Sequence, residues 1–170
     1  GGQGKILKTT NEGASWLSQT SNVTSDINSI MFTDNNTGWA SGNTGKILKT
    51  TNAGSQWVIN IDHGPISDFY GLFYSTPLRG TAIGRYLDPN NVPFVYYYKT
   101  DNGGNWWEYL ASSNKKILRS VFFSDSLHGW SAGDSGVVYG TLDKGVTWIE
   151  QNSRTFNDLK ALYFVNNSVG

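Results

Sequence analysis

The string GKILKTTN occupies Gly4–Asn11 and returns unchanged at Gly45–Asn52. An identical octapeptide is not a chance event in a chain of 170 residues, so the sequence is read first as a repeat. Working outward, Trp16, Trp57, Trp107 and Trp148 recur at spacings of 41, 50 and 41. The apolar strings NSIMF, YGLFY, RSVFF and KALYF end at Phe32, Tyr74, Phe123 and Phe164, each six residues before a glycine. The one long spacing comes from an insertion over Arg85–Val95, whose Asp88-Pro89-Asn90-Asn91 favours a turn and predicts an extended hairpin.

Each period holds four short apolar segments, which in the second copy are Ser29–Thr33, Gly38–Ser41, Lys46–Thr50 and Gln56–Ile61. We label such segments A to D. They are too short for helices and rich in β-branched and aromatic residues, and no stretch sustains a helical period. A repeated four-stranded meander is the signature of an all-β propeller blade. The reading is a single β-propeller segment over 1–170, of about four antiparallel blades. Their bounds are 1–27 (partial), 28–69, 70–117, 118–159 and 160–170 (partial). Aligning Gly170 with Gly38 and Gly1 with Gly42 leaves three residues missing, so both ends could complete one blade. The expected context is a propeller of six to eight blades. Closure of these blades alone, or pairing with a second copy through open blade edges, is the alternative.

Between segments C and D lies a turn Thr-x-Asx-x-Gly-x-x-Trp. Its fixed positions are Thr9, Asn11, Gly13 and Trp16; Thr50, Asn52, Gly54 and Trp57; Thr100, Asn102, Gly104 and Trp107; Thr141, Asp143, Gly145 and Trp148. The Asx oxygen should accept backbone N–H bonds two or so residues on. The glycine should adopt positive φ, the threonine hydroxyl tie the loop start, and the Trp anchor against the sheet. This turn resembles the Asp-box, or BNR, repeat. With GWASG and GKILKTTN in front of it, the blade is similar to propellers of the photosystem II assembly and stability factor type, and to secreted bacterial relatives. The resemblance implies the propeller fold over essentially the whole chain. It does not carry an activity, because Asp-box propellers include sialidases, other glycosidases and receptors. Asn in three of four boxes keeps the acceptor oxygen without charge, which fits a structural role.

Composition excludes some functions. Thirteen basic and thirteen acidic residues balance, so the basic footprint of a nucleic-acid binder is missing. No cysteine exists to form a disulfide or thiolate metal site. No apolar run is long enough for a membrane-spanning helix, and no membrane insertion is expected. Charged residues make up only 15%, which leans toward a secreted, periplasmic or cell-surface bacterial protein.

Strand alternation sorts the loops: D–A and B–C loops share one face, A–B loops and the Thr-Asx turns the other. His63 and His128 then fall on opposite faces, so no metal site and no cofactor is expected. Asp26, Asp68 and Asp158 share one register, with Ile117 in the fourth copy. They read as turns capping segment A in preference to an acid–base pair of a glycosidase. Sialidase chemistry would need an arginine cluster, and only Arg79, Arg85, Arg119 and Arg154 exist. Repeats that only build scaffold look alike, so the insertion-bearing blade is the place for function. Arg85, Tyr86, His63, Lys115, Lys116 and Arg154 are the candidate lining of its face, for a protein or glycan ligand. Of Tyr96, Tyr97 and Tyr98, at least one ring should pack between blades. Trp106 reads as an interblade contact in preference to an exposed ligand-stacking platform. The sequence thus favours a non-enzymatic binding or scaffold propeller. The alternatives are part of a polysaccharide-active glycoside hydrolase, or a purely structural repeat.

Overall fold

A computed structural model of the chain describes residues 1–111 and 116–170. It divides into two compact units, Gly1–Phe69 and Tyr70–Gly170.

The first unit opens with the antiparallel pair β1 (Ile6–Lys8) and β2 (Leu17–Gln19). A full meander follows, formed by β3 (Ile27–Phe32), β4 (Gly38–Gly42), β5 (Lys46–Thr50) and β6 (Val58–Asp62), adjacent in chain order. Segments A, B and D thus extend one or two residues beyond their expected bounds or start later, while C matches. Ile6 of the first sheet packs with Ile27, Ala40, Leu48 and Trp57 of the second. The buried and outward residues alternate along β3 as a sheet covered on one face requires.

The second unit holds two such meanders. The first runs β7 (Ser67–Tyr74), β8 (Gly80–Leu87), β9 (Pro93–Thr100) and β10 (Glu108–Ala111); the start of β7 lies in the first unit. The second runs β11 (Leu118–Phe123), β12 (Gly129–Gly133), β13 (Val138–Thr141) and β14 (Ile149–Gln151). Ile83, Val95 and Tyr97 pack between them against Leu118, Val121, Phe123 and Val137. The insertion is an extended hairpin, as the sequence predicts: pairing runs on from Gly84↔Tyr96 to Leu87↔Pro93. Its turn is closed by Asp88, whose Oδ1 accepts the N–H groups of Asn90 and Val92.

The expected A strand over Lys160–Phe164 forms no ladder. The segment keeps its place by side chains instead, with Phe164 stacked on Trp130 at 3.7 Å and the Leu162 N–H on Ser120 Oγ at 3.3 Å. A strand is held by a pairing neighbour, and none of the described residues supplies one here.

Candidate functional site

The B–C connections of the regular blades are tight hairpin turns. Successive positive φ angles at Gln3 and Gly4, Thr44 and Gly45, and Ser135 and Gly136 give the turn whose twist matches the flanking strands. A non-glycine residue at φ near +57° is strained, and each of these turns carries one. Asp26, Asp68 and Asp158 answer that strain. Their carboxylates accept the N–H groups of Gln3 (2.9 Å), Thr44 (3.2 Å) and Ser135 (3.0 Å). The expected capping of segment A is thereby corrected: each Asp belongs to the following blade and latches the B–C turn of the one before. A carboxylate that accepts an amide N–H is held in its charged form, which suits a latch better than a proton donor. Lys160, then the Ser135 amide, hold the Asp158 carboxyl below its usual pKa. The fourth register position is Ile117, the one place where the B–C turn has become the long hairpin.

The second residue of segment A completes the site. The β3–β4 and β11–β12 ladders skip a residue at Asn28 and Arg119, and bulges of this kind re-aim a side chain. In the first unit, Asn28 Nδ2 donates to Asn43 Oδ1 (2.7 Å) and to the Phe69 carbonyl (2.8 Å). In the second unit, Arg119 grips Asp134 with both Nε (2.8 Å) and Nη2 (3.0 Å). Asp134 raises the Arg119 pKa further, so this cation is permanent. Tyr70, in the same register on β7, lies beneath two guanidiniums, those of Arg119 at 5.0 Å and Arg85 at 6.0 Å. One register therefore holds an amide pair in one blade and a cation–aromatic–cation group beside the hairpin in the next two.

The proposed lining residues separate. Arg85 joins the Tyr70 group. Tyr86 points to the other face of β8 and stacks on Phe94 at 5.2 Å with an interplanar angle of 14°. Lys116 lines a groove of about 320 Å³ with Ser135, Gln151, Asn152 and Phe156. Arg154 is exposed on the D–A loop, at φ 60°. His63 lies in the first unit, where its N–H closes the B–C turn on the Gly45 carbonyl and its ring leans on Phe69. Desolvation lowers the pKa of this imidazole. Lys115 lies outside the described residues. Tyr70 and Asp134 were not singled out from the sequence. The signal was there: Asn28 with Asn43, Tyr70 with Arg85, and Arg119 with Asp134 are complementary pairs at one register.

The Thr-Asx turns hold in all four copies. The threonine Oγ1 accepts the glycine N–H at 2.9–3.0 Å, and the Asx Oδ1 accepts the backbone N–H four residues on at 2.9 Å. The bond spans four residues where two were expected, because the threonine hydroxyl takes the nearer amides. The glycines have φ between 78° and 89°. Trp57 is wholly buried and sits edge-on to Phe32, as Trp107 does to Tyr74 and Trp148 to Phe123. Trp16 is 57% exposed. Trp106 is 72% exposed, against the expectation that it packs, since position seven of the turn points away from the sheet. Tyr97 does pack between blades, stacked on Trp148 and bonded through its hydroxyl to Ser131 Oγ at 3.0 Å.

Asp143 is the one carboxylate at the Asx position of the four turns. The Thr147 hydroxyl, then the Thr147 amide, lower its pKa to about 2. A depressed folded pKa gives stability present above the ordinary carboxylate pKa and lost as pH falls toward 2. Asp143→Asn is expected to leave the melting temperature at pH 7 within about 3 °C, because Asn11 Nδ2 already bonds the Ser15 hydroxyl at this register. The variant should also flatten the loss of stability between pH 4 and pH 2, read by thermal unfolding across that range.

These sheets and turns define an all-β protein of the β-propeller class. Two solved structures carry the same fold. One is "YCF48 bound to D1 peptide", with 20% sequence identity and a TM-score of 0.60, covering 74% of this chain and 39% of that one. The other is YCF48 from Cyanidioschyzon merolae, with 21% identity and a TM-score of 0.58 over the same shares. The chain thus spans about two-fifths of the length of these structures. No protein-family model and no curated protein sequence matches it.

Proposed function

We propose that this chain is a non-enzymatic binding propeller that seats an extended, carboxylate-bearing polypeptide segment on the loop face carrying the 85–95 hairpin. The observation behind this is the Tyr70 ring under Arg85 and Arg119, next to the one B–C connection that departs from the repeat. Arginine and tyrosine fixed at a rim suit a carboxylate and the peptide planes beside it. The D1 peptide on a neighbouring fold supports a polypeptide over a small-molecule ligand. We read the Thr-Asx turns as Asp-boxes with a scaffold role. We place the protein outside the cytoplasm, in the secreted or surface-attached setting that its sparse charge suggests. A glycan is the second reading, favoured by the half-buried Tyr86–Phe94 stack, since sugar faces pack on paired aromatic rings.

Fluorescence anisotropy with a labelled acidic peptide tests the first reading. Tyr70→Ala and Arg85→Ala are each expected to weaken binding about tenfold, while Thr51→Ala, in a Thr-Asx turn of the first unit, leaves it unchanged. Equal affinity in all three variants contradicts the reading. A glycan array on the intact protein, with Tyr86→Ala as control, tests the second.

A further inference from the structure

The two blades of the second unit meet where the repeat is broken. Strand B carries a buried tryptophan in the other full blades, Trp39 on β4 and Trp130 on β12. Each indole has a fixed use. Lys49, the ladder partner of Trp39, lies over its ring at 4.6 Å. Trp130 stacks at 3.7 Å on Phe164, the last aromatic of the following segment A. In the blade of β7–β10 the residue at this register is Thr81, its ladder partner is Lys99, and the aromatic ahead of it is Phe123. The lysine and the phenylalanine are kept, and the indole between them is replaced by a small hydroxyl side chain. A cavity of about 10 Å³ lies there, lined by Arg79, Thr81, Lys99 and Asp101 of one blade and by Phe123 and Lys144 of the next. That is room for one particle the size of a water or a monoatomic ion.

The lining is short of acceptors. The Lys99 side chain is only 13% exposed, yet its ammonium stands 3.5 Å from Asp101 and 3.7 Å from Glu108. Arg79 Nε is 3.3 Å from the same Asp101. None of these contacts closes to the roughly 2.7–2.9 Å of a charge-assisted hydrogen bond. Lys8, at the register of Lys99 on β1, does reach it, donating to the Ala53 carbonyl at 2.7 Å. Thr81 is 5% exposed, and its hydroxyl makes no hydrogen bond among the described residues. Three cations, Arg79, Lys99 and Lys144, line the cavity against the one carboxylate of Asp101. The nearby turn carboxylates are engaged by their own turns. Asp125 accepts the N–H groups of Leu127 and His128, and Asp143 accepts the Thr141 and Thr147 hydroxyls. A desolvated ammonium calls for a close acceptor, as does a buried hydroxyl. A water would serve the hydroxyl and leave the excess of positive charge; an anion answers both. The volume restricts that anion to a single atom, since a phosphate or sulfate carries four oxygens about its centre.

We propose that this cavity is a halide site, in which one chloride takes the place of the missing indole, held by the Lys99 ammonium, the Arg79 guanidinium and the Thr81 hydroxyl. The inference rests on residues other than those of the peptide site, and neither reading depends on the other. Its test is broadening of the chloride NMR resonance by the protein. The wild type should broaden it, and bromide should reverse the broadening by competition. Lys99→Met, which keeps the packed stem and removes the charge, should weaken chloride binding about tenfold or more. Thr81→Val, of the same shape without the hydroxyl, should weaken it about threefold or more. Lys5→Met, which removes an exposed lysine of the first unit, should change nothing. Crystals of the wild type grown in bromide give a reading that needs no variant to fold: an anomalous peak within hydrogen-bond reach of Lys99 and Thr81 is expected. Absent broadening by the wild type, unchanged binding in Lys99→Met or Thr81→Val, an equal loss in Lys5→Met, or a water only at the cavity in the bromide crystals would each overturn the proposal.

Discussion

Trp57→Ala is expected to destabilise the protein by about 3–5 kcal/mol, whereas Trp16→Ala at the same turn position changes stability by less than about 1 kcal/mol. Trp57 is wholly buried and meets the Phe32 ring edge-on at 5.9 Å; Trp16 is 57% exposed. Among the described residues the Trp57 indole N–H has no hydrogen-bond acceptor, so the loss is one of packing, a cavity bordered by Ile27, Ala40 and Leu48. Urea unfolding of the two variants reads the difference as a shift in midpoint. Equal shifts would mean that the repeated Trp does not wedge the sheet.

Gly136→Ala should cost at least about 3 kcal/mol. Two effects add. Gly136 has φ 72°, which an L side chain adopts at a cost of about 1 kcal/mol, and its added Cβ would lie 2.0 Å from the Thr155 carbonyl oxygen. That carbonyl is backbone, so the turn or the D–A loop must move. Gly64→Ala isolates the first effect, because Gly64 has φ 77° with no atom within 4 Å of the added Cβ. It should cost about 1 kcal/mol and no more. Similar urea midpoints for the two variants would show that the B–C turn and the next D–A loop are not in contact.

The sequence discloses what is local and repeated. GKILKTTN, the Thr-Asx turns and the Trp spacing report a blade because each turn is closed by its own side chains, Thr50 and Asn52 binding within six residues. The hairpin over Arg85–Val95 was equally legible from its length and its Asp88 turn. What stayed hidden depends on neighbours. Asp68 looks like a cap for its own strand until the Thr44 amide of the previous blade is found on its carboxylate. The bulges at Asn28 and Arg119 have no sequence mark, since a bulge is settled by how two strands pair. The same bulge brings Arg119 to Asp134 and over the ring of Tyr70, an unremarkable tyrosine on β7 in the sequence. Trp106 next to Trp107 reads as packing by composition, while the turn geometry sends the two indoles in opposite directions.

The proposed binding belongs to the hairpin-bearing loops of the last two blades, and the B–C turns of the first unit are proposed to be scaffold. Amide NMR of the labelled chain, titrated with the acidic peptide, reads every loop at once. Shifts concentrated at Tyr70, Arg85, Arg119 and the 86–94 hairpin, with Gln3 and Thr44 still, are the expected result. Shifts centred on Trp106 and Leu142, or spread evenly over all the B–C turns, would contradict it.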